Sequence, residues 1–229
     1  MSHAFRLIVF DFDGTLVDSQ RLILAGMKLS FAAHGLPVPA PELVRRVIGL
    51  RLDVAVARLL PDPGDTDRVE RVAASYRDAF SQLHQQSEYQ TPLFPGVADG
   101  LRELDTHDVC LGIATGKGRR GLMASLERHD IRKHFVTLQT TDGSPSKPHP
   151  DLLLRAMADV GAEPAATVMI GDTTYDMEMA GNAKTAAIGV AWGYHGTAEL
   201  QASGAVHVVE RFADIPAALT SATEAQPCG

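Results

Sequence analysis

Six short apolar runs punctuate the chain: Arg6–Phe10, Val109–Ala114, Phe135–Leu138, Thr167–Ile170, Ala186–Val190 and Ala205–Val209. Helical patterns separate most of them, and that alternation predicts an α/β fold with a parallel sheet flanked by helices. Several runs end in polar, glycine-containing loops, where an open parallel sheet places its ligands. Pro150 suits a helix start, and Leu153, Ala156, Met157 and Val160 then follow helical spacing.

One interval, from about Ser19 to Gln90, shows no strand pattern. Leu24, Met27 and Phe31 share a helical face, and Gly35 with Pro37 ends that helix. Glu42–Ile48 and Leu52–Leu60 follow as second and third helices. A long fourth, Asp67–Gln86, carries Val69, Val72, Ala73, Tyr76, Phe80 and Leu83 at helical spacing. Four helices inserted between the first two strands predict a separate subdomain, residues 18–91, set into a core of residues 1–17 and 92–229. The tail Thr220–Gly229 is expected to fray.

Composition narrows the function. With 229 residues, 45% hydrophobic and 21% charged, the chain is ordinary globular material. A net charge of −7 argues against nucleic acid or an acidic membrane surface as partner. No apolar run approaches the ~18 residues that span a bilayer. The first strand begins almost at once, so no signal peptide is expected. Cys110 and Cys228 make no disulfide framework, so a cytoplasmic setting is expected.

The chemistry concentrates at strand ends. Asp11 and Asp13 follow Leu7-Ile8-Val9-Phe10 and, two apart in a strand, start on one face. Gly14 then permits a sharp turn, and Thr15 offers a hydroxyl. One carboxylate can attack phosphorus while the other handles a proton, and the two can hold a hard metal ion. Thr115-Gly116-Lys117 follows the second run with a hydroxyl and backbone N–H groups near a helix start. Ser146-Lys147-Pro148 sets a cation before the Pro150 helix. Gly171-Asp172-Thr173-Thr174-Tyr175-Asp176 follows the fourth run, and a helix beginning there would put Asp172 and Asp176 on one face of its first turn.

In that order, these four stretches resemble the haloacid dehalogenase superfamily, and in particular its phosphatases of the phosphoglycolate phosphatase type, whose Rossmann-like core carries an inserted helical cap. The likeness covers nearly the whole chain and includes Gly35-Leu36-Pro37 and Phe94-Pro95-Gly96-Val97. It implies that Asp11 is the nucleophile and becomes an aspartyl-phosphate, while Asp13 protonates the leaving alcohol and then activates water. It implies Mg²⁺ held by Asp11, the backbone carbonyl of Asp13 and Asp172, with Asp176 in support. Gly14, Thr15, Thr115 and Gly116 would hold phosphate, and Lys147 would supply positive charge beside the nucleophile. Arg51, in the turn Ile48-Gly49-Leu50-Arg51, would read a second anion on the substrate. The substrate implied is a small phosphorylated metabolite, with phosphoglycolate as the example and a sugar-phosphate mutase of the β-phosphoglucomutase kind as the alternative. A monomer is the default, and a weak dimer stays open.

Other patterns weigh less. Gly116-Lys117-Gly118-Arg119-Arg120-Gly121 fits a dinucleotide fingerprint, but no acid stands at the end of the next strand, so a phosphate-cradling loop is the better reading. Asp13 argues against a dehalogenase, and the inserted helices argue against a receiver module. A phosphonate hydrolase needs a cap lysine, and Lys28 sits in a solvated helical setting. Met157, Met169, Met177 and Met179 read as packing, and His149 and His195 as loop residues. Trp192 and Tyr194 are expected to pack or to line a loop near the cleft.

Overall fold

The computed structural model describes residues 5–106 and 108–224. All six apolar runs form strands: β1 (Leu7–Phe10), β2 (Cys110–Thr115), β3 (Phe135–Thr140), β4 (Thr167–Gly171), β5 (Ala186–Val190) and β6 (His207–Val209). They make one parallel sheet in the order β3-β2-β1-β4-β5-β6. The edges moved slightly: β3 runs two residues further than its apolar run, and β6 is two residues shorter.

The sheet is covered on both faces because successive side chains of a strand point opposite ways. In β1, Ile8 and Phe10 join a core with the helices Val97–Leu104 (α5), Arg119–Arg128 (α6) and Ile215–Glu224 (α10). Leu7 and Val9 face the other way, into a core with Asp151–Val160 (α7), Thr174–Asn182 (α8) and Thr197–Ala202 (α9). Met157, Met169, Met177 and Met179 are buried in that second core, as packing residues should be. The fraying expected of Thr220–Gly229 does not reach Thr220–Glu224, which complete α10 behind buried Leu219 and Ala222. Residues 225–229, with Cys228, lie outside the described residues.

The interval without strands holds four helices: α1 (Gln20–Ala33), α2 (Pro41–Val47), α3 (Leu52–Leu59) and α4 (Thr66–Leu83). The fourth stops three residues earlier than its periodicity predicts and gives way to a short 3₁₀ turn at Ser87–Tyr89. These helices share an apolar cluster of their own, built on Ile23, Met27, Phe31, Val56 and Val72. The two ends of the insertion are tied together by backbone hydrogen bonds, Asp18 N–H to the Pro92 carbonyl at 2.9 Å and Phe94 N–H to that of Leu16 at 3.0 Å. No helix among the described residues is long and apolar enough to cross a membrane.

Candidate active site

The strand order reverses at β1 and β4: the chain runs outward through β2 and β3, then returns to the far side of β1. Loops diverge at such a point and leave a crevice at the carboxyl ends of the strands. Asp11 leaves β1 there, its N–H bonded to the Ile170 carbonyl at 2.9 Å, and Asp172 leaves β4 beside it.

Three carboxylates meet in this crevice. Asp11, Asp172 and Asp176 are all buried, and each offers an oxygen within 4.8 Å of the others. One cation stands among them: Lys147 Nζ lies 2.9 Å from Asp11 Oδ1 and 2.6 Å from Asp176 Oδ1. Thr15 donates its hydroxyl to Asp172 Oδ1 at 2.8 Å, and the Tyr194 N–H donates to Oδ2 at 3.0 Å. Asp176 Oδ2 accepts from both the N–H and the hydroxyl of Thr173, as the cap of α8. Asp172 therefore stands before the helix and not on its first turn with Asp176, because α8 starts only at Thr174.

Asp11 is unevenly held. Its Oδ1 takes Lys147 and the Phe12 N–H (2.6 Å), while its buried Oδ2 has no hydrogen-bond partner. Burial pushes the Asp11 carboxyl up to about 7 despite Lys147, with Asp176 adding to the rise. Burial raises Asp172 well above the carboxylate range, and Asp11 raises it further. For Lys147, burial pulls downward, but Asp11 and Asp176 outweigh it and hold the ammonium above its ordinary value. One ammonium does not balance three buried carboxylates. An all-oxygen pit with excess negative charge and an orphaned carboxylate oxygen fits a hard divalent cation.

Gly14 makes the close approach of the two loops possible. Its φ is +94°, and a Cβ there would collide with the Asp172 carboxylate. The carboxylate of Asp13 turns away from the pit to Lys117, whose Nζ lies 3.1 Å from Oδ2. Thr115 is buried, and its hydroxyl accepts the Lys117 N–H at 3.2 Å. Gly116 meets the insertion: a Cβ on it would lie 2.5 Å from the Gly49 carbonyl oxygen and 2.6 Å from that of Leu50.

Arg51 lines the cleft, but its guanidinium is engaged. It forms two bonds of 2.7 Å to Asp53 and a third, of 2.9 Å, to the Ser144 carbonyl. Further contacts seat the insertion on the core. The Arg51 N–H reaches Ser146 Oγ at 2.9 Å, and Arg46 pairs with Glu199 at 2.5 Å. The Tyr175 hydroxyl donates to the Arg46 carbonyl and accepts from Arg58, both at 2.8 Å. Trp192 Nε1 donates to the Thr15 carbonyl at 3.0 Å, which fixes the loop after β5 against the first motif. His195 Nδ1 caps the Thr174 N–H at 3.1 Å, and His149 Nδ1 accepts from Asp151 in the same way at 3.2 Å.

Two roles escaped the sequence reading: the pairing of Lys117 with Asp13 and the N–H that Tyr194, expected only to pack or line a loop near the cleft, gives to Asp172. Lys117 is visible only as the residue after Thr115-Gly116, and Tyr194 contributes a backbone N–H that no side-chain motif encodes.

This architecture is shared. A family model described as haloacid dehalogenase-like hydrolase matches residues 8–190. The chain is 35% identical to the probable phosphatase IndB of Dickeya dadantii over 91% of each chain. It is 30% identical to a phosphoglycolate phosphatase of Vibrio parahaemolyticus, over 92% of this chain and 94% of that one. Among solved structures, a hydrolase from Pseudomonas syringae superposes with a TM-score of 0.83 at 28% identity, over 93% of this chain and 97% of the other. The chain belongs to the haloacid dehalogenase-like hydrolases. Within that class it is an enzyme acting on phosphate esters.

Proposed function

We propose that this enzyme is a Mg²⁺-dependent phosphatase that hydrolyses a small phosphorylated metabolite through an aspartyl-phosphate on Asp11. The observation that carries the reading is the state of Asp11: one oxygen is fixed by Lys147 and the Phe12 N–H, while the other is buried and unpaired at the bottom of the cleft. Such an oxygen has its lone pairs free for phosphorus or a metal.

In this reading Asp11 attacks phosphorus, the bond from phosphorus to the alcohol oxygen breaks, and Asp13 gives that oxygen its proton. Water then attacks the phosphorus of the aspartyl-phosphate. Asp13 takes the proton of that water, and inorganic phosphate leaves with Asp11 restored. Lys147, Thr115 and the Gly116 N–H offer positive potential to the transferring group, where phosphoryl transfer needs it. Mg²⁺, held by Asp11, Asp172 and the Asp13 carbonyl with Asp176 behind them, would supply charge that lets two anions approach. Residues 18–91 act as a cap over a core of residues 1–17 and 92–229, and Gly14 and Thr15 shape the loop beneath the phosphate. The enzyme works as a cytoplasmic monomer on a free metabolite, and phosphoglycolate is the first substrate to try because relatives carry that name.

The test is phosphate release from a panel of phosphorylated metabolites, with and without Mg²⁺, by the wild type and Asp11→Asn. Turnover that needs Mg²⁺ and falls more than about a thousandfold in Asp11→Asn is expected. Interconversion of isomers without phosphate release would favour a mutase instead, and near-normal turnover by Asp11→Asn would sink the nucleophile assignment.

A further inference from the structure

One face of α4 carries Tyr76 and Phe80, and His84, the residue that ends the helix, continues the same four-residue spacing that aligns side chains on a helix. The ring centres lie 5.7 Å apart from Tyr76 to Phe80 and 5.8 Å from Phe80 to His84, the latter pair stacked. All three are only half-buried, and they line the same cleft as Asp11 and Asp13. The ladder also touches the chemistry. Lys117 Nζ lies 5.0 Å from the centre of the Phe80 ring and 3.1 Å from Asp13 Oδ2. A leaving group that receives its proton from Asp13 would therefore extend along these rings.

The size of the cleft points the same way. Its volume is about 1050 Å³, and its lining includes Ile23, Met27, Val44 and Val47, which are buried in the apolar clusters of the insertion. Pockets of roughly 300–1,000 Å³ bury a drug-sized molecule, so this open cleft has room for more than a two-carbon acid. Arg51, the cation expected to read a small second anion, is bound to Asp53 and the Ser144 carbonyl.

We propose that the alcohol part of the substrate carries a flat ring, seated against Phe80 and Tyr76, and that Phe80 determines specificity. The substrate class is a phosphate monoester of a ring-bearing alcohol, larger than a simple hydroxy acid. This rests on the phosphatase reading above. Rings favour offset or edge-on contact with rings, a preference that adds to the apolar area they bury.

The experiment compares 2-phenylethyl phosphate with ethyl phosphate, two alkyl esters of similar leaving-group chemistry that differ by a ring, and uses p-nitrophenyl phosphate as a control. Wild-type kcat/KM should favour the ring-bearing ester by roughly tenfold. That ratio should fall to near one in Phe80→Ala and survive in Phe80→Trp, which keeps a ring. If p-nitrophenyl phosphate is cleaved and wild type shows no preference within the pair, the ring proposal is overturned and the phosphatase reading stands. A ratio unchanged in Phe80→Ala overturns Phe80 as the determinant. If a phosphorylated metabolite of the panel is cleaved with Mg²⁺ present but none of these three esters is, the ring proposal is overturned and the phosphatase reading stands.

Discussion

Lys117 Nζ stands 3.2 Å and 3.1 Å from the two carboxylate oxygens of Asp13, a contact made across 104 residues of sequence. Both side chains are largely withdrawn from water, at 14% and 13% exposure, and the ammonium also lies over the Phe12 and Phe80 rings. A hydrogen bond to a charged group contributes ~1.5–3 kcal/mol in such settings. In the proposed mechanism Lys117 positions the acid that protonates the leaving oxygen. Lys117→Met keeps the stem and removes the charge. It should lower kcat/KM on an alkyl phosphate by about tenfold, with a smaller loss on an aryl phosphate, whose leaving group needs less help. Equal losses on both would show that Lys117 serves architecture and not Asp13.

Lys147 should matter to stability as well as turnover. It is the cation bonded to Asp11 and Asp176 in a pit of three buried carboxylates. Removing one partner of a buried ion pair typically costs ~3–5 kcal/mol, because the remaining charge is left unpaired. Urea unfolding of Lys147→Ala in chelator should show a loss toward the lower end of that range, since the carboxylates can respond by taking up protons. A midpoint equal to wild type would mean that the pit is already neutral without the lysine.

Gly116 gives a test of closure. With a Cβ only 2.5–2.6 Å from two carbonyl oxygens of the turn at Gly49 and Leu50, Gly116→Ala cannot keep this contact. Backbone must shift on one side or the other. The variant should fold with a nearly normal melting temperature but lose roughly tenfold or more in kcat/KM, since an ångström of misplacement is costly in a catalytic site. Full activity in Gly116→Ala would show that the seated turn is not needed for catalysis.

Metal and pH should act on stability together. The folded Asp11 titrates at about 7, against 3.8 for an ordinary aspartate, and Asp172 moves in the same direction, both chiefly through burial. The contribution of Asp11 to the metal-free fold is therefore complete below pH 3.8 and is lost as pH rises through about 7, and that of Asp172 is lost in the same direction. Burial moves His84, His129 and His195 the other way, below 6.5, so their contribution is present above pH 6.5 and is lost as pH falls. A divalent ion competes with protons for Asp11 and Asp172. The rise in melting temperature on adding Mg²⁺ should be small at pH 5 and about 5 °C at pH 8. An equal rise at both would place the ion elsewhere.

The sequence by itself determined the inventory. Strands buried on both faces must be apolar throughout, so Leu7–Phe10 and Thr167–Ile170 announce themselves, and only their edges shift by a residue or two. Four helical repeats without a strand reveal the insertion, because an amphipathic face leaves a 3.6-residue period. Asp11, Asp13, Lys147, Asp172 and Asp176 were legible because loops at strand ends carry short local motifs. What the tertiary structure alone decided is which of these groups meet. The sheet order places β4 beside β1 and brings Asp172 to Asp11 across 161 residues, and no local pattern encodes that neighbour. The same holds for the partners of Asp13 and Arg51: Lys117 reaches Asp13 across the crevice, and Asp53 with the Ser144 carbonyl takes up Arg51. A charged side chain read in isolation is free. In the folded protein it goes to the nearest opposite charge that the packing permits, and that choice depends on distances the chain acquires only when its layers close.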